Sequence, residues 1–142
     1  TPADLSYILQ VADGKECVSV ERATFGARVR ISLQKGLLAT YNSFIPPYPE
    51  EWEGKVIDPP KVEEDPRYQN LINLANSEEF QGKLDISEMQ KLMDIEVKNG
   101  GALHKGTVYQ VIAIPKKLTL WIRAWGYSDW QEVNLADLFI SR

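Results

Sequence analysis

The chain predicts an α+β fold in which antiparallel strands at both ends pack against two central helices. Three observations predict it. Residues 6–41 break into short stretches that alternate apolar and polar side chains; residues 67–97 hold two stretches with apolar side chains at helical spacing; residues 107–135 are again rich in β-branched and aromatic residues. With 142 residues and 44% hydrophobic content, residues 1–142 suit a single domain with its own core.

Ser6 to Ala12 reads as a strand that ends at Asp13-Gly14, a pair suited to a hairpin because glycine accepts positive φ without steric cost. Cys17 to Glu21 resumes after it. Beyond Phe25-Gly26, Val29, Ile31 and Leu33 fall on one strand face and Arg28, Arg30 and Ser32 on the other, so one face is core and one is wet or lines a site. Gln34-Lys35-Gly36 then turns the chain into Leu37 to Tyr41, which predicts a four-stranded antiparallel meander.

Six of the eight prolines fall between Pro46 and Pro66, among acids such as Glu50, Glu51, Glu63 and Glu64. Proline removes ladder and helix donors, so this is a long irregular loop, either a lid or wall of a site or a plain surface excursion. Trp52 and Val56-Ile57 are expected to pin it down.

Tyr68, Leu71, Ile72 and Ala75 form one stripe on a helix from Arg67 to about Asn76, with Pro66 at its first turn. A second helix starts at Asp85, whose spacing to Glu88 matches a capping box, and carries Met89, Leu92, Met93 and Val97 until Asn99-Gly100-Gly101 stops it. Both methionines read as core filling. Thr107 to Ile114, a turn at Pro115-Lys116-Lys117 and Leu118 to Trp125 make a hairpin, and Trp130 to Leu135 adds a last strand before Leu138-Phe139 docks the end.

Sixteen basic against twenty acidic residues give a net charge of -4, which offers no footprint for a phosphate backbone, so nucleic acid is not an expected partner. No apolar run approaches the roughly 20 residues that cross a bilayer, and no basic and apolar leader opens the chain, so neither a membrane nor a signal peptide is expected. A soluble protein, placed in the cytoplasm for want of any disulfide, fits the single Cys17. One histidine, His104, cannot supply a Cys/His zinc site, and no metal or cofactor is implied.

No phosphate-binding glycine loop, zincin helix or nucleophile elbow is present. Cys17 and His104 form a conceivable nucleophile and base, but Cys17 sits in an apolar strand as a small buried hydrophobe and His104 in a loop as a solvated residue. An N-terminal Thr1 can use its own amine as base, yet Pro2-Ala3-Asp4 follows it and regular alternation starts later, so the terminus reads as cut rather than activated. The acid pairs of the proline loop have no helix to fix their separation. Trp121, Trp125 and Trp130 could floor an apolar pocket or simply pack across strands.

Thr40-Tyr41-Asn42-Ser43-Phe44 at the end of the strand pairs, the proline loop, Pro66-Arg67-Tyr68-Gln69-Asn70-Leu71 opening a helix, and Gly106 to Ile112 followed by Pro115 to Arg123 follow one another in a recognisable order. This order resembles the C-terminal half of choloylglycine hydrolase and penicillin acyltransferase-like proteins, the linear amide C–N hydrolases among the N-terminal-nucleophile (Ntn) hydrolases. The resemblance implies about half of an αββα sandwich. It implies a nucleophilic N-terminal Cys, its own α-amine serving as base, in a segment upstream of this chain, because Gly14 to Glu21 around Cys17 resembles a strand in the middle of a family member.

By the same resemblance Asn42 is an oxyanion-hole donor, against the alternative of a turn asparagine, and Arg67 faces the nucleophile, against that of an exposed first-turn residue. Tyr41, Phe44 and Trp52 fall on the substrate side. Tyr41 stands between Thr40 and Asn42, Ser43 replaces a frequent histidine, and Asp65-Pro66 replaces small hydroxyl residues, departures that bear on substrate and activity. The expected function is the C-terminal part of an amidohydrolase or acyltransferase acting on a small-molecule amide, partnered by the upstream half or a second copy that covers its apolar faces. The competing expectation is a non-catalytic domain that binds a small ligand or another protein.

Overall fold

The computed structural model describes residues 5–13, 15–32 and 37–138. Among these, two three-stranded antiparallel sheets and two α-helices make an α+β architecture. The chain divides into two compact units, Thr1–Gln69 and Asn70–Arg142. Gly14, Leu33 to Gly36, Thr1 and Phe139 lie outside the described residues, and with them the glycines of two expected turns.

The first unit holds β1 (Tyr7–Ala12), β2 (Cys17–Ala23) and β3 (Gly26–Arg30) in the order β1-β2-β3. Asp13 shapes the first turn by accepting from the backbone N–H of Lys15 at 2.6 Å and of Glu16 at 2.9 Å. Thr24-Phe25 closes the second hairpin in two residues, which sets Glu21 opposite Arg28 and Ser19 opposite Arg30.

The packed face of this sheet is its polar one. Ser19, Glu21 and Ala23 are buried, and the side chains of Arg28 and Arg30 are only 12% and 13% exposed, whereas Val29 and Ile31 are each 63% exposed and Leu9 52%. Charge is tolerated inside because it is paired. The Glu21 carboxylate accepts from Arg28 Nε at 2.6 Å through one oxygen and from Arg30 Nε at 2.8 Å through the other.

The expected fourth strand does not form. Residues 38–49 hold no strand or helix, and their carbonyls are met by side chains instead of a ladder: Arg30 Nη2 donates to Ala39 O at 2.7 Å, and Arg28 donates to Ile45 O and Pro47 O. Cys17 is exposed rather than buried, because it opens β2 opposite Ala12 at the end of the sheet.

The proline loop contains one 3-10 turn, Glu50–Trp52, and Trp52 pins it with 1% exposure. Phe25 meets Trp52 edge-on at 5.5 Å, Phe44 lies 5.4 Å from it, and Arg28 sits 5.3 Å above its ring. Gly26 leaves room for this indole, since a Cβ there would lie 2.7 Å from Trp52 Nε1. Ile57 does not pin the loop: it is 91% exposed, and the turn after Trp52 carries it outward.

Helix α1 (Arg67–Ala75) follows Pro66, with its apolar stripe half-buried, and runs from the first unit into the second. Helix α2 (Ile86–Asp94) starts where Asp85 accepts from Glu88 N–H at 2.9 Å. It stops at Asp94 rather than at Asn99-Gly100-Gly101. A parallel bridge between Glu96 and Leu103 captures the chain first, with Leu103 N–H donating to Ile95 O at 3.1 Å and Val97 N–H to Leu103 O at 2.9 Å. Val97 therefore lies in a 3-10 turn.

Strands β4 (Tyr109–Ile114), β5 (Thr119–Ala124) and β6 (Gln131–Asn134) form the second sheet, in that order. Its packed face also mixes polar with apolar groups. Gln110 donates to Met93 O at 2.7 Å and accepts from Arg123 Nε at 2.7 Å, while Arg123 pairs with Asp94, so a cation and an amide meet the C-terminal end of α2. Val111, Ile122 and Val133 lie on the other face, each more than a third exposed. Arg123 also lies 4.6 Å from the Trp125 ring and 4.8 Å from that of Trp130, so these tryptophans pack on a guanidinium.

Candidate functional site

In the first unit, residues 40–44 and 55–60 enclose an open cavity of about 860 Å³ with Tyr7, Ile8 and Phe25. Its walls combine aromatic and aliphatic side chains with the hydroxyls of Ser6, Thr40 and Ser43 and the polar groups of Asn42, Lys55 and Asp58, a composition suited to an organic ligand of moderate size. Tyr41, Asn42 and Phe44 all line it. Trp52 does not; it lies in the core and supports Phe25 and Phe44 from behind.

Asn42 is exposed, and its carboxamide oxygen accepts from Arg67 Nη2 at 3.0 Å. Because the guanidinium can only donate, this contact assigns the oxygen to the Arg67 side and turns the amide nitrogen, a donor, the other way. Tyr41 and Tyr68, neighbours of the two residues in sequence, stack at 5.6 Å with a 32° tilt. Gln10 donates to the Thr40 hydroxyl at 2.6 Å.

Arg67 itself lies behind Asn42 and outside the cavity lining. Its Nε donates to Asp65 Oδ1 at 2.7 Å and its Nη2 approaches Asp65 Oδ2 at 2.5 Å, a two-pronged pair that also holds the first turn of α1. The Asp65 hydrogen bond raises the arginine above its ordinary value against the opposing effect of burial. Asp65 thus explains a cation in the first turn of a helix, where the dipole alone disfavours one.

Sequence reasoning had set Tyr41, Asn42, Phe44 and Arg67 together only through a family resemblance. It passed over Asp65 as a partner for Arg67, although only Pro66 separates them, and over the Glu21, Arg28 and Arg30 cluster. The two-residue turn at Thr24-Phe25 was the available signal, since counting outward from it sets Glu21 against Arg28.

His104 is exposed, its Nδ1 accepting from Gly106 N–H at 3.0 Å. Among the described residues no cluster of three or more His, Cys, Asp or Glu is placed to hold a metal ion, and no helix is long and apolar enough to cross a membrane. Comparisons with protein-family models, with curated proteins and with solved structures each return no match for this chain.

Proposed function

We propose that this chain is the C-terminal, supporting part of an Ntn-type amidohydrolase or acyltransferase acting on linear amide C–N bonds, its nucleophilic cysteine being carried by an upstream half. The single observation that carries the reading is the Arg67–Asn42 hydrogen bond at the edge of an apolar cavity. An amide whose oxygen is held by a cation is a stronger and better-aimed donor at its nitrogen, which is what an oxyanion hole requires.

In the proposed reaction the upstream thiolate attacks the amide carbonyl carbon and forms a C–S bond. The carbonyl π electrons move to oxygen, where the Asn42 N–H donates to the developing charge. Collapse of the adduct breaks the C–N bond, the amine leaves with the proton held by the α-amino group, and water or an acceptor amine takes the acyl group from the thioester. Tyr41 and Phe44 offer the apolar wall for the substrate. No cofactor enters this scheme.

The partner proposed for the chain is that upstream half, with a second copy as the alternative, and the row of exposed Leu9 and Val29 with half-buried Val20 between them is the surface it would cover. Intact mass and N-terminal sequencing of the native protein test the reading together with an amide-hydrolysis assay. A precursor or copurifying chain beginning with Cys, with amide turnover, is expected. A native product without such a cysteine defeats the proposal and leaves ligand or protein binding as the function.

A further inference from the structure

Between Leu37 and Glu50 the backbone holds no strand or helix, yet Asn42 sits in its middle. Such a stretch needs other partners for its carbonyls if it is to keep one conformation. Arg30 Nη2 takes the carbonyl of Ala39, three residues before Asn42, at 2.7 Å. Arg28 takes those of Ile45 and Pro47, three and five residues after it. The two guanidiniums are themselves fixed from within the sheet by the fully buried Glu21 carboxylate.

A buried carboxylate needs cations for its own sake, but it does not require them to reach the carbonyls on either side of Asn42. The planar fork of arginine allows both tasks at once: Nε of each arginine is directed to the carboxylate, which Arg28 Nη2 also meets at 2.5 Å, while terminal nitrogens reach the backbone. Lysine, a point charge, keeps the first task and loses the second. The Arg28 plane is further held 5.3 Å over the Trp52 ring and 5.5 Å over that of Tyr48.

We infer that Glu21 is a positioning residue for Asn42, acting through Arg28 and Arg30 to hold both flanks of the segment that carries it. The inference rests on the reading of Asn42 as an oxyanion donor, but its geometric content stands apart from catalysis. Arg67 sets the direction of the carboxamide; the Glu21 cluster sets where its backbone stands.

The test uses the full protein, 15N-labelled, with the Asn42 side-chain amide pair identified as the pair lost in Asn42→Asp. In Glu21→Gln and in Arg30→Lys, that pair is expected to move toward free-amide shifts and to exchange faster, while the dispersion of the remaining spectrum persists. Turnover is expected to fall on the order of 100-fold through kcat, with KM little changed, as misplacement of a reacting group by about 1 Å implies. An unmoved Asn42 pair in a folded variant overturns the inference, as does a loss confined to KM. If Glu21→Gln fails to fold, Arg30→Lys decides alone, because it keeps the ion pair and gives up the Ala39 carbonyl. Absence of amide turnover in the unsubstituted protein defeats the enzymatic reading, and the amide pair then still decides the positioning one.

Discussion

Arg67 and Asn42, 25 residues apart, meet through one hydrogen bond of 3.0 Å from Nη2 to Oδ1. The bond makes the start of α1 the backstop of an asparagine on an irregular loop. If the proposed chemistry holds, Asn42→Ala lowers kcat on the order of 100-fold or more with an unchanged thermal midpoint. Arg67→Met, which leaves the amide but frees its oxygen, lowers it less, and steady-state kinetics on the full protein distinguishes the two.

Two glycines admit no side chain. A Cβ on Gly26 would press on the Trp52 indole at 2.7 Å, and one on Gly101 would stand 1.8 Å from the Ile95 carbonyl oxygen. Gly26→Ala is expected to cost roughly 1–3 kcal/mol in denaturant unfolding, and Gly101→Ala at least as much, because a backbone atom has to move. Equal stability of Gly101→Ala and the parent would contradict the bridge between Glu96 and Leu103.

Burial, reinforced by the charge of Asp58 and opposed by Arg28, pushes the Tyr48 hydroxyl above its ordinary value. The neutral phenol is therefore favoured in the folded chain. Its contribution to stability is whole below the unfolded tyrosine value of about 10 and is lost as pH rises through the folded one. Absorbance at the phenolate band, compared between the parent and Tyr48→Phe, should show a missing late-titrating tyrosine in the variant.

Asp13 behaves in the opposite sense. Backbone N–H groups of Glu16 and then Lys15 hold its carboxyl below the usual range, so the turn is stabilised above the unfolded value and loosens as pH falls through the folded one. Asp13→Asn should remove that acid step from an NMR titration of the β1–β2 hairpin, and an unaltered step would assign it elsewhere.

Val29→Asp places a charge at a position 63% exposed. Unfolding of this chain alone should change by no more than about 0.5 kcal/mol. Association with an upstream half, or with a second copy, should weaken sharply in analytical ultracentrifugation, and unchanged association would move the interface off the β1–β3 sheet.

The α+β class and the places of most elements were legible because local rules decide them: Pro66 and the Tyr68 stripe for α1, Asp85 and Glu88 for the start of α2. What escaped depends on partners distant in sequence. The end of α2 is decided by Leu103, and in place of the expected fourth strand the Ala39 carbonyl is taken by Arg30 of β3. Alternation around Val29 showed two faces without saying which is covered, because a paired Glu21 makes the polar face fit for burial. In the candidate site, Asn42 and Arg67 were joined only by resemblance; nothing in periodicity links residues so far apart.

Both sheets turn charged or amide side chains toward the packing, Glu21, Arg28 and Arg30 in one and Gln110 and Arg123 beside Ile112 in the other, and leave Leu9, Val29, Val111 and Ile122 more than a third exposed on the far side. Denaturant sensitivity and the heat-capacity increment of unfolding both scale with surface newly exposed to solvent, the second mainly with its apolar part. A chain whose aliphatic rows are already wet unfolds with a shallow denaturant slope and a small increment for its length. If the proposed partner covers those rows, both quantities rise together, and the denaturant slope then reports assembly as well as folding.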